Sequence, residues 1–170
     1  MNLFDVAYEF TKENEGGFSN NPHDRVLATY AGISSKWFPD DYQAIISAKE
    51  ENRPAMVKEF YYRHFWNTLY ELIDDKRLAV RLFDLSVNLG TKQAVGLLQE
   101  TLNAYSDGEV CKADGIFGII TLAHVNDKIY VNIEFDYSLR VERYYKTLPS
   151  FKYFGKGWLN RLHKEIRIPE

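Results

Sequence analysis

The sequence predicts a mainly α-helical protein. Apolar residues recur at three- and four-residue intervals along most of the chain, the spacing of one helix face. Glycines and prolines mostly fall between these stretches, where they stop and start helices. Only 26–34 reads differently, as a short, apolar, β-leaning segment suited to an extended strand or a small hairpin.

Leu3 to Asn14 has apolar residues at 3, 6, 7 and 10 and is the first helix. Gly16-Gly17 ends it, because glycine supplies the left-handed backbone of a helix C-cap. Glu15 therefore falls at or near the last helical position. The negative end of the helix dipole disfavours an ionised carboxylate there. An acid so placed is a candidate proton donor. The plain alternative is a surface glutamate before a turn. Ser19 to Arg25 is dense in turn formers and reads as a surface loop carrying Asp24. Gly32 marks a bend or a close backbone approach.

Pro39-Asp40-Asp41 opens a second helix to about Ser47, with acids in its first turn. Lys49 to Arg53 is a charged connection. Pro54 begins a third helix, with Asn52 as its expected cap, running to about Trp66. Its end is rich in aromatics. Core packing explains most of them, while Tyr62, His64 and Trp66 are candidates for a sugar-binding groove, since Tyr and Trp suit half-buried sites.

Lys76 to Leu89 is apolar on more than one face and reads as a buried central helix. Asp84 and Asn88 share one face of it. A buried acid needs partners, and backbone or tyrosine hydrogen bonds are expected for Asp84. Gly90-Thr91 stops this helix and is expected to cap the next, Thr91 to Asn103. A glycine turn at 114–118 leads into a short helix, Tyr130 to Leu148 reads as a long one, and a last amphipathic helix runs to about Ile166. A soft boundary at Gly90-Thr91 divides the chain into 1–90 and 91–170, which are expected to share an interface.

The chain has 170 residues, 45% hydrophobic and 15% aromatic, with a formal net charge of −3. That length suits one ordinary domain or two small ones sharing a core. No strongly basic region appears, which argues against nucleic acid as a partner. The lone cysteine, Cys111, excludes an intramolecular disulfide and a cysteine-based metal site. The four histidines are scattered without ligand spacing, so no metal is expected. No phosphate-binding glycine loop is present, and no cofactor is expected. No apolar run reaches membrane-spanning length. The first ten residues contain Asp5 and Glu9 and no basic residue, unlike a signal peptide, so synthesis in the cytoplasm is expected.

What remains is carboxylate chemistry, with Glu15 and Asp24 nine residues apart. Glycoside hydrolysis uses such a pair: one acid protonates the leaving oxygen, and a second carboxylate activates water or faces the developing positive charge. Sequence spacing does not give their separation in space, so inverting and retaining outcomes both stay open.

At these residues the chain resembles glycoside hydrolase family 108, bacterial and phage N-acetylmuramidases with a lysozyme-like helical fold. The matching pieces are Glu15-Gly16-Gly17-Phe18, Asn21-Pro22-His23-Asp24, Thr29 to Ser34, and Phe83-Asp84-Leu85-Ser86-Val87-Asn88-Leu89-Gly90. In the C-terminal half, Asp114 to Leu122 and Phe151, Phe154, Gly157, Trp158 and Arg161 resemble a predicted peptidoglycan-binding domain. Departures from the family pattern are Val26-Leu27 for a glycine pair, Tyr30 for asparagine, and Ile119 for proline.

The resemblance implies a lysozyme that cleaves the β-1,4 bond between N-acetylmuramic acid and N-acetylglucosamine. It makes Glu15 the general acid and residues 1–90 the catalytic domain, with 91–170 a helical peptidoglycan-binding-like domain packed on it. Asp24, or a water held by Thr29, assists opposite Glu15, and Tyr30 helps shape the groove. The partners implied are peptidoglycan glycan strands and, for a phage endolysin that lyses its host, a holin for release to the periplasm or wall; a monomer is expected. Two rivals stand beside this reading: a non-catalytic wall-binding or regulatory protein, and a lytic transglycosylase, which uses one acid and no attacking water.

Overall fold

The structure, a computed structural model, describes residues 2–14, 29–105, 110–127, 129 and 132–169. Among them the chain forms α1 (Leu3–Asn14), a hairpin of β1 (Thr29–Tyr30) and β2 (Ile33–Ser34), α2 (Pro39–Ser47), α3 (Arg53–Phe65), α4 (Lys76–Leu89), α5 (Thr91–Asn103), α6 (Ile119–Val125), α7 (Ile133–Thr147) and α8 (Phe151–Leu162). Short 3₁₀ turns precede α3 at Glu50–Asn52 and α4 at Thr68–Leu72. The fold is mainly α and lysozyme-like, with one small hairpin.

α4 is the centre, and its sequence explains why. Val80 and Phe83 join Phe4, Ala7, Tyr8, Phe10, Ile33, Ile45, Val57, Phe60 and Tyr61 in one apolar cluster. Leu78, Ala79, Leu82 and Leu85 join a second cluster with α5, α6 and α7 residues such as Leu98, Leu122, Tyr137 and Val141. A helix with apolar residues on several sides must be covered on several sides, and α1, α3, α5 and α7 all pack on α4. The two clusters thus meet along one helix. Ile166, near the C-terminus, belongs to the N-terminal cluster.

The hairpin pairs Thr29 with Ser34 and Tyr30 with Ile33. Ala31 (φ 51°) and Gly32 (φ 79°) form its turn, and two consecutive positive φ values match the twist of a tight hairpin. The Tyr61 hydroxyl donates to the Ala31 carbonyl at 2.9 Å and ties that turn to α3.

Several local expectations are corrected. Asn52 does not cap α3 with its side chain, because the 3₁₀ turn holds its backbone in a helical conformation that runs straight into Arg53. Thr91 is the first residue of α5 and not its cap. Gly90 occupies that position at φ 83°, a conformation open to glycine, and turns α4 directly into α5. Side-chain caps form at Asn2, accepting from the Asp5 amide at 2.8 Å, at Asp75, accepting from the Arg77 amide at 3.0 Å, and at Asn67, accepting from the Leu69 amide at 2.9 Å. α3 ends at Phe65, leaving Trp66 just beyond it in extended backbone.

Candidate functional site

Glu15 and Asp24 lie outside the described residues. What is described frames them in the chain: Asn14 ends α1 on one side, and Thr29 opens the hairpin on the other.

The end of α1 is tied to the buried centre. The Asn14 side-chain amide donates to Asp84 Oδ1 at 3.3 Å. Asp84 is fully buried, with 0% exposure. Arg161 of α8 grips the same carboxylate with two prongs, Nε to Oδ2 at 3.0 Å and Nη2 to Oδ1 at 2.9 Å. A planar guanidinium matches a carboxylate in this paired geometry, and such charge-assisted bonds are the strong ones. The partner of Asp84 is therefore an arginine from the far end of the chain, in place of the backbone or tyrosine groups expected from sequence. Asn88, on the same face, accepts from the Tyr145 hydroxyl at 2.6 Å. Glu13 points elsewhere, to an exposed ion pair with Lys164 at 2.9 Å.

Tyr30 stands on the hairpin with its ring over the Arg53 guanidinium, 5.8 Å from the ring centroid. Arg53 is itself fixed by donating to the carbonyls of Ile46 at 2.8 Å and Ala48 at 3.1 Å, at the end of α2. Thr29 beside it is exposed.

The three candidates at the end of α3 take different places. Tyr62 is 39% exposed and sets its ring edge-on to Phe4 at 4.9 Å. Trp66 is partly buried and packs on Phe4, Tyr70 and Phe83, with ring centroids 5.4, 5.4 and 5.6 Å away. Phe4 and Asn14 are separated by roughly 15 Å along the α1 axis at the usual helix rise. Tyr62 and Trp66 thus sit at the opposite end of α1 from Asn14. His64 packs its ring on Phe60 at 4.5 Å and meets Asp41 Oδ2 at 2.9 Å. Arg63 reaches the other Asp41 oxygen at 2.5 Å. Burial alone raises the Asp41 pKa, but the hydrogen bonds from Arg63 and His64 outweigh it and hold this carboxyl below its ordinary value. The structure thus places Thr29 and Tyr30 side by side on the hairpin, Tyr62 and His64 in the last turn of α3, and Trp66 just beyond it.

Sequence reasoning missed Arg53 beneath Tyr30, and it placed Arg161 in a C-terminal motif without its contact to Asp84. The burial of Asp84 was the available signal, since a buried carboxylate demands a partner. Nothing in local spacing points to an arginine 77 positions away.

A groove of about 390 Å³ lies in the C-terminal half, lined by Lys112, Ile116, Ile119 and Ile120 above Gln99 and Thr121. Gln99 is used internally: its amide nitrogen lies within bonding distance of the Ile116 carbonyl and Thr121 hydroxyl, and its oxygen accepts from the Gly115 amide. The groove's polar floor therefore holds its own loop together. No helix among the described residues is long and apolar enough to cross a membrane.

The fold and frame are those of a lysozyme-like helical protein. Residues 8–90 match the model of the family Glycosyl hydrolase 108, so that stretch carries a glycosyl hydrolase signature. Among solved structures the chain is similar to Brucella abortus SagA at a TM-score of 0.70 and 23% identity, covering 94% of this chain and 88% of that one, which is a likeness of fold. No curated protein matches.

Proposed function

We propose that the protein is a peptidoglycan hydrolase, a lysozyme that cleaves the β-1,4 bond between N-acetylmuramic acid and N-acetylglucosamine with Glu15 as general acid. The observation that carries this reading is the Glycosyl hydrolase 108 match over 8–90, which includes Glu15 and the frame on both sides of it. Support comes from the position of Glu15 in the chain. It follows directly on Asn14, which is bonded to a buried carboxylate. A proton donor needs a fixed approach to the leaving oxygen, and anchored elements hold geometry better than loops do.

In this reading Glu15 protonates the glycosidic oxygen as the bond breaks. Asp24 activates water or faces the oxocarbenium-like centre on the opposite side. Thr29 orients a hydroxyl or a water, and Tyr30, backed by Arg53, offers a flat face to a sugar ring. Residues 91–170 assist by binding peptidoglycan, with the groove at Ile116 and Ile119 as one surface open to it.

The test is the full chain on purified sacculi. Glu15→Gln is expected to reduce the release of reducing ends by at least ~100-fold, within the range general acids contribute, while circular dichroism stays unchanged. Full activity in that variant overturns the assignment. Anhydro-muramyl products in place of reducing ends would make the protein a lytic transglycosylase. Binding to sacculi without cleavage would make it a wall-binding protein.

A further inference from the structure

The C-terminal half holds a residue that the hydrolase signature does not reach, yet it contacts the centre of the matched segment. Arg161 lies 71 positions beyond the end of the match, by the difference 161 − 90. It closes on Asp84 from α8, and Asp84 in turn accepts from Asn14. The three groups form one line: guanidinium, carboxylate, amide. Each carboxylate oxygen has a defined donor, Nε on Oδ2, and Nη2 with the Asn14 amide on Oδ1. Arg161 Nη2 also lies 3.4 Å from the Asp84 carbonyl. The guanidinium is in turn held by its own segment, because the Arg161 and Lys164 carbonyls accept from Arg81 at 3.2 and 2.8 Å.

We propose that Arg161 is a positioning residue for the proton donor: by fixing the orientation of Asp84 it fixes Asn14, and with it the helix end from which the chain continues into Glu15. This rests on the reading of Glu15 as general acid. The physical case has two parts. A carboxylate at 0% exposure can hold a neutral amide in one place only if its charge is met and its plane is set. Arginine does both with one fork, whereas lysine supplies the charge without setting the plane. A donor displaced by about 1 Å from its productive approach loses on the order of 100-fold in rate.

The experiment uses the full-length protein with purified sacculi, measuring reducing-end release as kcat and KM and stability by urea unfolding. Asn14→Ala leaves the Asp84–Arg161 pair intact. It is expected to keep the urea midpoint and KM near wild type while kcat falls about 10- to 100-fold, the cost of a misplaced donor. Arg161→Lys is expected to lower kcat in the same way beyond any unfolded fraction. Adding Asn14→Ala to it is expected to cost little more, because both act through one carboxylate. Glu13→Gln, which touches only the exposed Lys164 pair, is expected to retain wild-type kcat. An inactive Glu15→Gln beside a fully active Asn14→Ala overturns this inference and leaves the hydrolase reading standing. So does a kcat loss in Arg161→Lys that equals its unfolded fraction. A fully active Glu15→Gln overturns the donor assignment, and this inference with it.

Discussion

Tyr62 and Trp66 are four positions apart in the chain and have the same aromatic character, yet they do different work. Trp66 is held on three sides by Phe4, Tyr70 and Phe83 and packs against both apolar clusters. Tyr62 touches the same Phe4 by an edge contact and stays open to solvent. Truncating an aromatic packed on three sides leaves a gap that its neighbours fill only in part. Trp66→Ala is therefore expected to cost about 3 kcal/mol of stability, with activity lost only in proportion to unfolding. Tyr62→Ala is expected to change stability by less than about 1 kcal/mol, as for exposed sites. Urea unfolding of the two variants, with activity measured at a temperature where both are folded, checks this. A strong KM effect in folded Trp66→Ala would return that ring to the substrate.

At the scale of elements the helices were legible because periodicity is local. α1, α2, α4 and α5 begin and end where apolar spacing and glycine or proline place them. Asp84 shows what periodicity omits. Its burial follows from its place on α4, but its partner is set by how α8 returns across the chain, and no short window contains both. The caps failed for a different reason: Asn52 and Thr91 are good capping residues, but a 3₁₀ turn and Gly90 had already set the backbone at those positions. Legibility of the site was narrower. The order of motifs proposes Glu15, while the packing of Trp66 against Phe4, Tyr70 and Phe83 depends on how α3 meets α1 and α4.

The layer between α4 and α7 carries its own test. Tyr137 and Tyr145 of α7 are buried there, and Tyr70, in the 3₁₀ turn before α4, is buried in the same apolar cluster. Burial pushes the Tyr70 phenol up to about 12 against the lowering by the Ser86 hydroxyl, and burial raises Tyr137 and Tyr145 as well. The hydroxyls of Tyr137 and Tyr145 donate to the Ala94 carbonyl and Asn88 Oδ1 at 2.9 and 2.6 Å, which also favours the neutral form. A raised phenol pKa means the folded state keeps a proton that the unfolded state releases from pH 10 upward. The stability these groups contribute is complete below pH 10 and is lost as pH climbs toward 12 and beyond. The urea midpoint is expected to fall steeply over that interval, together with tyrosinate absorbance. Tyr70→Phe is expected to flatten the fall. A midpoint flat from pH 10 to 12 would show that these rings ionise without unfolding.

For the molecule as a whole, the hydrolase signature ends at residue 90, where α4 turns into α5, but the physical unit does not end there. One side of α4 is covered by α1 and α3, and another by α5 and α7. Removing 91–170 would uncover Leu78, Leu82 and Leu85, each at 0% exposure. It would also strand two charges. Asp84 would lose Arg161, and Arg81, 4% exposed, would lose Glu134 at 3.0 Å together with the carbonyls of Arg161 and Lys164. Breaking a buried pair by removing one partner costs about 3–5 kcal/mol, and two such losses are comparable to the whole stability of a domain, about 5–15 kcal/mol. A fragment of residues 1–90 is therefore expected to lack near-ultraviolet circular dichroism and a cooperative urea transition. The intact chain is expected to unfold in one transition with coincident fluorescence and circular dichroism curves, the signature of a single cooperative unit. A 1–90 fragment that unfolds cooperatively and cleaves sacculi would show that α8 is dispensable, and that the Asp84 carboxylate finds another partner when Arg161 is gone.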